Sequence, residues 1–376
     1  MATVPRLVRL PDRLGLSSFP FVALLTLGLT VSLANLASAP AIDRSVARVA
    51  TSPNPLASSA HAVASETVER RSRQRPIAAT GISKIAGERG ERLDASADPL
   101  TRILASFAAA HLDPVLVGAG DIADCTTGAD MATARLVEGI PGIVFTAGDE
   151  AYPEGSAENF RDCYDPSWGR FLDRTLPAVG NHEYGTAGAA GYYGYFGSDG
   201  SGGWPSGHAW YSLQVGTWHV VVLDSDCDIV GCGRRSPQLA WLKADLAGHP
   251  ARCTLAIWHH PRFSSGGHGN DPAVAPFWRA LMRAGAELVI NGHDHDYERF
   301  APQTPGGRLD HEDGIREIVA GTGGAHLRRF HRTKPNSRLR LRTYGVLRLT
   351  LHPASYSWRF VRTDGSSADA GTTACH

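Results

Sequence analysis

Residues 115–121 read VLVGAGD and residues 143–149 read IVFTAGD, so a short aliphatic run ends in Gly-Asp twice. Residues 255–260 (LAIWHH) and 288–293 (LVINGH) repeat this pattern with histidine as the polar residue. Continuous apolar runs of this kind are typical of strands that are covered on both faces. In open α/β sheets, ligands bind where such strands end. The pattern therefore predicts an α/β domain with a polar site at its strand ends.

The segments between these apolar runs indicate that layers of helices pack on the strands. Helix-like stretches lie at 129–137, 237–246 and 273–284, and alternation of strands with helices is typical of α/β folds. Four more segments have β-type composition, and we expect them to form a second, more antiparallel sheet. These segments are 209–215, 218–223, 345–351 and 356–361.

Residues 1–39 are predicted to be an export signal. A basic region precedes an uncharged apolar stretch (19–36), and Ala37-Ser38-Ala39 is a small-residue cleavage pattern. The alternative is an uncleaved anchor, because the stretch approaches the length that spans a bilayer, and residues 19–39 would then tether the protein to the membrane. In both cases the rest of the chain is expected to be secreted or extracytoplasmic.

Residues 40–112 are predicted to be a disordered linker or pro-segment. No aromatic residue occurs between Pro40 and Ser106, and the segment is rich in Ala, Ser and Arg. Such a composition buries too little apolar surface to offset the entropy lost on ordering. Residues 113–376 are left to form a single catalytic domain.

The charge balance excludes some classes of protein. Lys and Arg number 37, and Asp and Glu also number 37, so the formal net charge is zero with histidine neutral. Nucleic-acid-binding proteins usually carry a basic excess, so no nucleic-acid-binding surface is expected. An acidic solvating chain is excluded as well. The 16 histidines leave metal binding open.

The six cysteines are predicted to form disulfides, because their number is even and the chain carries an export signal. No CxxC pair is present, so a cysteine zinc site is not expected. Six cysteines allow about 15 pairings, and the sequence does not choose among them. The pairing that we favour is Cys125–Cys163, Cys227–Cys232 and Cys253–Cys375.

Five short motifs contain possible metal ligands. They are Gly120-Asp121, GDEAY (148–152), GNHE (180–183), HHP (259–261) and GHDH (292–295). Carboxylate, amide oxygen and imidazole groups suit zinc, manganese or iron. A bridging carboxylate would hold two cations about 3.5–4 Å apart, which is the spacing of two-metal phosphoryl-transfer sites.

In their order, these motifs resemble the calcineurin-like metallophosphoesterase superfamily. Tyr152 follows Asp149 by three residues and resembles the GDxxY motif of the purple acid phosphatase branch, whose tyrosine binds ferric iron. The resemblance covers residues 114–362. It implies an α/β (α+β) fold, a four-layer αββα sandwich of two mixed β-sheets flanked by helices.

The resemblance also implies a ligand set for two metal ions. The ligands of the first metal, expected to be Fe³⁺, are Asp121, Tyr152 and His295. The ligands of the second, a divalent Fe, Zn or Mn, are Asn181, His259 and His293. Asp149 would bridge the two metals.

Two further histidines would act on the substrate. His182 would contact the phosphate and stabilise developing charge or protonate the leaving alkoxide, a form of help worth about 10²–10⁴-fold. His268, nine residues after His259, would face the leaving group. The two cations would polarise the phosphoryl oxygens and lower the pKa of a bound water, so that hydroxide attacks phosphorus in line.

The sequence departs from the family pattern at two positions. The family's first motif is commonly DxG, but Ala123 stands at its last position, so the turn there is expected to differ. Glu150 is an extra carboxylate that either changes the charge near the metals or faces solvent.

Each signal has a plainer interpretation when it is taken alone. Gly-Asp is common in turns, Asn181 could cap a helix, and Tyr152 could be a packing aromatic. Residues 192–196 are interpreted as core filling, with a substrate-facing aromatic wall as the alternative. Arg328 and its neighbours are interpreted as a solvated face, with attraction of anionic substrates as the alternative.

The remaining histidines are not expected to bind metal. His260 is expected to pack or hydrogen-bond around the site. Those predicted to be ordinary surface or core residues are His208, His219, His249, His311, His326, His331, His352 and His376.

We therefore expect an exported, acid phosphatase-like dimetal phosphoesterase that hydrolyses phosphate monoesters of small molecules. One alternative is a phosphodiesterase or nucleotidase on the same scaffold. The other is a non-catalytic exported protein that holds phosphate or another ligand. The sequence does not decide the oligomeric state.

Overall fold

The structure, a computed structural model, describes residues 99–110, 112–197 and 208–376. The predicted signal or anchor (1–39) and residues 40–98 of the predicted linker lie outside these ranges. Within the described ranges, no helix has both the length and the apolar character needed to cross a bilayer.

The described part of the chain contains strands and mostly short helices. The strands are β1 Val115–Ala119, β2 Ile143–Thr146, β3 Thr175–Leu176, β4 Tyr211–Val215, β5 Trp218–Val222, β6 Cys253–Ile257, β7 Leu288–Asn291, β8 Tyr297–Phe300, β9 Arg316–Ala320, β10 Ser337–Leu341, β11 Gly345–His352, β12 Ser355–Arg362 and β13 Ser367–Ala374. The α-helices are α1 Pro99–Ala110, α2 Ala129–Glu138, α3 Ala157–Asn159, α4 Ala190–Phe196, α5 Cys227–Val230, α6 Pro237–Gly248 and α7 Ala275–Arg283. A π-helix occurs at Phe160–Tyr164, and 3₁₀ helices occur at Trp168–Arg174, Glu183–Gly185 and Ala187–Ala189.

The strands form two mixed sheets. The first has the order β13-β12-β11-β1-β2-β3, and the second has the order β10-β8-β9-β7-β6-β5-β4. In the first sheet β1, β2 and β3 are parallel, and the strands from β11 to β13 are added antiparallel. In the second sheet β5, β6, β7 and β9 are parallel, with antiparallel strands at both edges. Each sheet therefore has a parallel part whose strands end at the same edge.

Alternating side chains divide the core into layers. Leu116 of β1 and Leu255 of β6 lie in the core between the two sheets. Val117 instead lies in the cluster that includes α2 and α4, and Ala256 lies in the cluster that includes α6 and α7. Helices therefore cover the outer faces of both sheets, and the predicted four-layer αββα sandwich is confirmed.

The predicted division of strands between the sheets was wrong. We expected the segments 209–215, 218–223, 345–351 and 356–361 to form a second, more antiparallel sheet, but the first two and the last two belong to different sheets. Strands β4 and β5 join β6 and β7, whereas β11 and β12 join β1 and β2. In the first sheet β11 pairs antiparallel with β1 at the edge of the parallel group, whereas in the second sheet β5 is parallel to β6 and only β4 is added antiparallel. Local composition carries no information on which sheet a hairpin joins.

The predicted linker ends earlier than residue 112. Helix α1 occupies Pro99–Ala110, within the segment that we predicted to be disordered. Its side chains at i, i+3, i+4 and i+7 form one apolar face. The side chains of this face, which pack against the core between the sheets, are Leu100, Ile103, Leu104 and Phe107. The low aromatic content of the whole segment concealed this short amphipathic helix.

The three disulfides that we favoured are confirmed. Cys125 is bonded to Cys163, and Cys227 to Cys232. The third bond joins Cys253, at the start of β6, to Cys375, just after β13. It therefore links the second sheet to the last strand of the first.

Candidate metal centre

The carboxyl ends of the parallel strands of both sheets meet at one edge of the sandwich. The amide of Gly120, after β1, donates to the carbonyl of Ala320 at the end of β9 in the other sheet (2.9 Å). The carbonyl of Gly120 accepts from the amide of Gly323 (2.9 Å). The loops after β1 and β2 therefore lie against those that follow β7 and β9.

Three polar residues at this edge have a left-handed backbone. The φ angles are 57° for Asp121, 53° for Asp149 and 70° for His293, and each of these residues follows a glycine. Asp and His are among the non-glycine residues that adopt this region most often. Such residues still cost about 1–3 kcal/mol each and cluster at functional sites. The backbone here is specialised to aim these side chains.

Two glycines of the motifs are required by close approach. A Cβ on Gly148, whose φ is 83°, would lie 2.5 Å from Nδ1 of His259. A Cβ on Gly180 would lie 2.3 Å from Oδ1 of Asp149. Any larger residue at either position would displace a side chain of the site.

The loop after β1 accommodates alanine where the family pattern has glycine. The amide of Ala123 donates to the carbonyl of Glu150 (2.9 Å), and the amide of Tyr152 donates to the carbonyl of Ala123 (2.9 Å). Ala123 thus continues the parallel pairing of β1 and β2 into the loops and needs no special backbone conformation. Glu150 is fully buried, so the alternative in which it faces solvent was wrong.

Four of the predicted ligands form one group of donors. Oη of Tyr152 lies 3.0 Å from Oδ1 of Asp121, 3.1 Å from Oδ2 of Asp149 and 3.2 Å from Nε2 of His295. Nε2 of His295 also lies 3.2 Å from Oδ1 of Asp121. The other ring nitrogen of His295 lies 2.8 Å from the carbonyl of His326, a contact that aims Nε2 into the group.

The other predicted ligands form a second group around His259. Its Nε2 lies 3.2 Å from Oδ1 of Asn181 and 3.2 Å from Nδ1 of His293. It also lies 3.2 Å from Oδ2 of Asp149. Nδ1 of His259 lies 2.9 Å from the carbonyl of Ala147, which orients the ring in the same way as in the first group.

Asp149 belongs to both groups. Its Oδ2 is within 3.2 Å of Tyr152 on one side and of His259 on the other. Ligands that lie about 2.0–2.2 Å from a metal are separated from one another by a little over 3 Å. The distances within each group match that separation, so the donor set fits two metal ions that share Asp149.

The electrostatics of the site attract positive charge. Desolvation raises the pKa of the Asp149 carboxyl, but His259 and His182 outweigh it and hold the pKa below its usual range. For His259, desolvation is outweighed by Asp149 and Asp121, which raise the imidazole pKa to about 10. Buried carboxylates that hold a proton on a buried imidazole would also hold a cation.

Among these protein groups alone, the side chain of Tyr152 is a protonated phenol. Burial raises its pKa well above 10, and the carboxylates of Asp121 and Asp149 raise it further. A multivalent cation among the same donors acts in the opposite direction and favours the deprotonated ligand. Tyrosine is therefore useful at this position when a highly charged cation is bound.

His182 lies at the open side of the two groups. Its amide donates to Oδ1 of Asp149 (2.9 Å), and its ring packs on Tyr152 with the centroids 4.2 Å apart. Nδ1 contacts the carbonyl of Pro153, so the proton belongs on Nδ1. Nε2 lies 3.8 Å from Oδ2 of Asp149, and 29% of the side chain is exposed. The ring can therefore reach a ligand that enters from solvent.

His268 lies beside the second group. Its ring centroid is 4.2 Å from that of His293, and its Nε2 accepts a hydrogen bond from Nη1 of Arg328 (2.6 Å). Desolvation lowers the pKa of His268, and the cationic Arg328 lowers it further against the attraction of Asp294. Arg328, which we interpreted as part of a solvated face, therefore contacts a residue of the site.

Sequence reasoning missed the role of Glu183. This buried carboxylate accepts hydrogen bonds from four backbone amides of two loops. The donors are the amides of Gly180 (2.9 Å), Asp149 (3.1 Å), Glu150 (2.9 Å) and Ala151 (3.2 Å). Its place in the GNHE motif was the only available signal.

Asp294 supports the loop that carries His268. Its carboxylate accepts from the amides of His268 (2.8 Å) and Gly269 (3.2 Å) and from the hydroxyl of Ser264. His260 behaves as predicted for a residue around the site, since its Nδ1 lies 2.9 Å from Oγ of Ser225. Tyr192 and Phe196 are buried in the core, as the core-filling interpretation predicted.

Comparison with known proteins agrees with this geometry. The sequence profile described as calcineurin-like phosphoesterase matches residues 95–297, which is more than half of the chain. Acid phosphatase A of Cryphonectria parasitica is 29% identical over 140 residues, covering 31% of this chain and 28% of that protein. Purple acid phosphatase 18 of Arabidopsis thaliana is 32% identical over 121 residues, covering 31% of this chain and 26% of that protein.

A solved structure shares the fold. The purple acid phosphatase from yellow lupin (Lupinus luteus) seeds superposes with a TM-score of 0.55 at 18% identity, covering 69% of this chain and 53% of that one. The alignments with the two curated relatives span less than a third of either protein's length. The profile match, which spans more than half of the chain, shows that this chain belongs to the calcineurin-like phosphoesterase family.

Proposed function

We propose that this protein is an exported phosphoesterase that hydrolyses phosphate monoesters of small molecules at a dimetal centre. The observation that carries the proposal is the position of Asp149, whose Oδ2 lies within 3.2 Å of donors in both groups. The first metal, proposed to be Fe³⁺, would bind Asp121, Tyr152 and His295. The second, a divalent Fe, Zn or Mn, would bind Asn181, His259 and His293. When bound, two such ions supply positive charge to the phosphoryl oxygens and lower the pKa of water.

In this proposal His182 binds the phosphate and assists the leaving group. The contact with Pro153 holds the proton on Nδ1, so Nε2 is the atom that faces the substrate. As a neutral ring it accepts from a protonated phosphate oxygen, and as imidazolium it donates to a phosphate or alkoxide oxygen. The second role stabilises the charge that builds as the ester bond breaks.

We propose that His268 and Arg328 act together on the leaving-group side. Arg328 donates to His268 and brings a permanent positive charge next to the second donor group. A guanidinium at this place attracts a phosphate dianion and favours its orientation over the metals. His268 would then contact the alcohol portion of the ester.

Export is supported by the disulfides. Three bonds pair all six cysteines, and disulfides persist mainly in secreted and other extracytoplasmic proteins. The predicted signal at 1–39 agrees with this location. Mass spectrometry of the mature N-terminus would distinguish a cleaved signal from a retained anchor.

Metal analysis combined with a substrate panel tests the proposal. We expect two metal ions per purified chain, and faster turnover of para-nitrophenyl phosphate than of the corresponding diester. Faster turnover of the diester would show a phosphodiesterase instead. A fully metal-loaded protein that hydrolyses neither ester would show a binding protein. Zinc without iron would contradict the ferric assignment at Tyr152 and leave the phosphoesterase proposal standing.

A further inference from the structure

A second cluster of possible metal ligands lies far from the candidate metal centre. It comprises His219 on β5, Asp245 in the last turn of α6 and His249 just after α6, and one atom of each lies within 4.8 Å of the others. His219 pairs with Thr254 in the register of β5 and β6, five residues before His259. At about 3.3 Å per residue, the two sites are roughly 16 Å apart along the sheet. The cluster therefore lies at the amino end of the parallel strands.

His219 is buried without a hydrogen-bond partner. Its side chain is 2% exposed, and neither ring nitrogen makes a hydrogen bond. Nε2 nevertheless lies 3.1 Å from Oδ2 of Asp245, a buried oxygen that also makes no hydrogen bond. Burying unpaired polar atoms is unfavourable. A cation bound by both Nε2 of His219 and Oδ2 of Asp245 would remove this cost. Adjacent ligands of a tetrahedral zinc ion are about 3.3 Å apart, close to the distance seen here.

The other two members of the cluster are positioned to complete a site. Oδ1 of Asp245 accepts from the hydroxyl of Ser212 (2.7 Å), which orients the carboxylate and leaves Oδ2 for His219. Nδ1 of His249 lies 3.1 Å from Oδ1 of Asp245 and 3.0 Å from the Asp245 carbonyl. In the structure the Nδ1 proton of His249 is donated to these oxygens, and a bound ion would replace that proton at Nδ1, with the remaining ring proton on Nε2. Its side chain is 59% exposed, which gives an ion access from solvent.

The types of donor in the cluster also suit a transition-metal ion. Two imidazoles and one carboxylate form a donor set that suits zinc and does not suit calcium or magnesium.

We propose that His219, Asp245 and His249 bind one zinc-type divalent cation, with water as the fourth ligand. The ion would join β5 to the end of α6 and stabilise that side of the second sheet. This site is separate from the proposed dimetal centre, and the inference does not rest on the proposed function. Hydrolytic activity is not expected to depend on it.

The experiment compares the zinc content of matched variants. Purified full-length protein is incubated with zinc at neutral pH, desalted and analysed by elemental mass spectrometry. We expect His249→Ala, and independently the isosteric Asp245→Asn, to hold one zinc per chain fewer than the wild type. The control is His311→Ala, which removes another exposed histidine outside the cluster and should leave the zinc content unchanged. Because differences are measured, metal at the candidate dimetal centre cancels.

A second arm separates this inference from the proposed function. In an Asp149→Asn background, which lacks the bridging carboxylate, the difference of one zinc between His249→Ala and His311→Ala should persist. Added zinc should also raise the Tm of the His311→Ala protein more than that of the His249→Ala protein. Equal zinc contents and equal Tm shifts in the two variants would overturn the proposal, whatever the phosphatase assays show.

Discussion

The two ends of the second sheet carry two different kinds of histidine–aspartate cluster. At the carboxyl end, the donors come from loops of both sheets, and Asp121, Asp149 and His293 have left-handed backbones. At the amino end, His219 lies within a strand and Asp245 within a helix, with ordinary backbone conformations. The carboxyl end uses strained backbone to bring many donors to one place. The amino end places a few side chains on rigid elements, so its effects should be on stability.

The contrast predicts that a variant at the centre of the carboxyl-end cluster loses activity, and an active variant there would contradict it. Asp149→Asn removes the charge that both donor groups share. We expect metal content to fall and kcat/KM to drop by at least about 10⁴-fold, since the several kcal/mol that the metals supply is lost. Elemental analysis and steady-state kinetics measure both effects. Asp313→Asn, an exposed aspartate, is the control, and a metal-loaded, active Asp149→Asn protein would contradict the shared role.

His182→Ala should separate chemistry from metal binding at the same edge. The His182 ring contacts Tyr152 and Pro153 but is placed at the open side of the donors. We expect turnover to fall by about 10²–10⁴-fold with metal content unchanged, because only help to the phosphate and the leaving group is lost. Loss of metal from this variant would show instead that His182 belongs to the ligand set.

The site at the carboxyl end could be predicted from the sequence because its tight turns require particular residues. Glycine precedes each left-handed aspartate or histidine of the site, as at Gly148 and Gly292, and Gly180 is required by its close approach to Asp149. Apolar runs before these turns predicted β1, β2, β6 and β7. All nine residues singled out as ligands or catalytic groups lie at this one edge. Local pattern predicted the strand ends and the polar residues there, whereas the roles of these residues came from the family resemblance.

The rest could not be predicted from local pattern. The amino-end cluster joins residues 26 and 4 positions apart, from a strand and a helix without motif residues, so only the packing of α6 on β5 brings them together. Which sheet β11 and β12 join depends on open edges created far away in the chain. The four amides bound by Glu183 belong to loops whose conformation is set by the whole edge.

Removing the disulfide at the amino end should affect stability and spare catalysis. Cys253 and Cys375 join residues 122 apart in sequence. We expect the double variant Cys253→Ala/Cys375→Ala to lose about 2–4 kcal/mol of unfolding free energy, since its unfolded chain is less constrained. Turnover and metal content at low temperature should stay at wild-type values. Denaturant unfolding and kinetics on the same samples measure both quantities.

The matched control is the double variant Cys227→Ala/Cys232→Ala, because that bond closes a separation of only 5 residues. Closing a shorter loop restricts the unfolded chain less, so a smaller loss of stability is expected. A large loss of turnover in the Cys253→Ala/Cys375→Ala protein at a temperature where it is folded would break the contrast between the two ends.

The smallest expected effect is a pH dependence at the amino end of β7. Glu287 accepts from the amide of His376 (2.8 Å), and burial raises its carboxyl pKa to about 7, although that amide and Arg252 partly offset the shift. The folded protein therefore holds a proton that the unfolded chain, with a pKa of 4.5, releases first. The contribution of Glu287 to stability is full below pH 4.5 and is lost as the pH rises through about 7.

Glu287→Gln keeps the side chain neutral at every pH, so it should escape this loss. Relative to the wild type, the Tm of the variant should be higher at about pH 8 than at about pH 5, because only the wild type must bury a charge at the higher pH. Glu312→Gln, at an exposed glutamate, should show no such change with pH. An equal Tm difference at both pH values would contradict the raised pKa of Glu287. A change in turnover would show instead that the amino end is coupled to the candidate metal centre. We do not expect this, because the two clusters are far apart along the sheet.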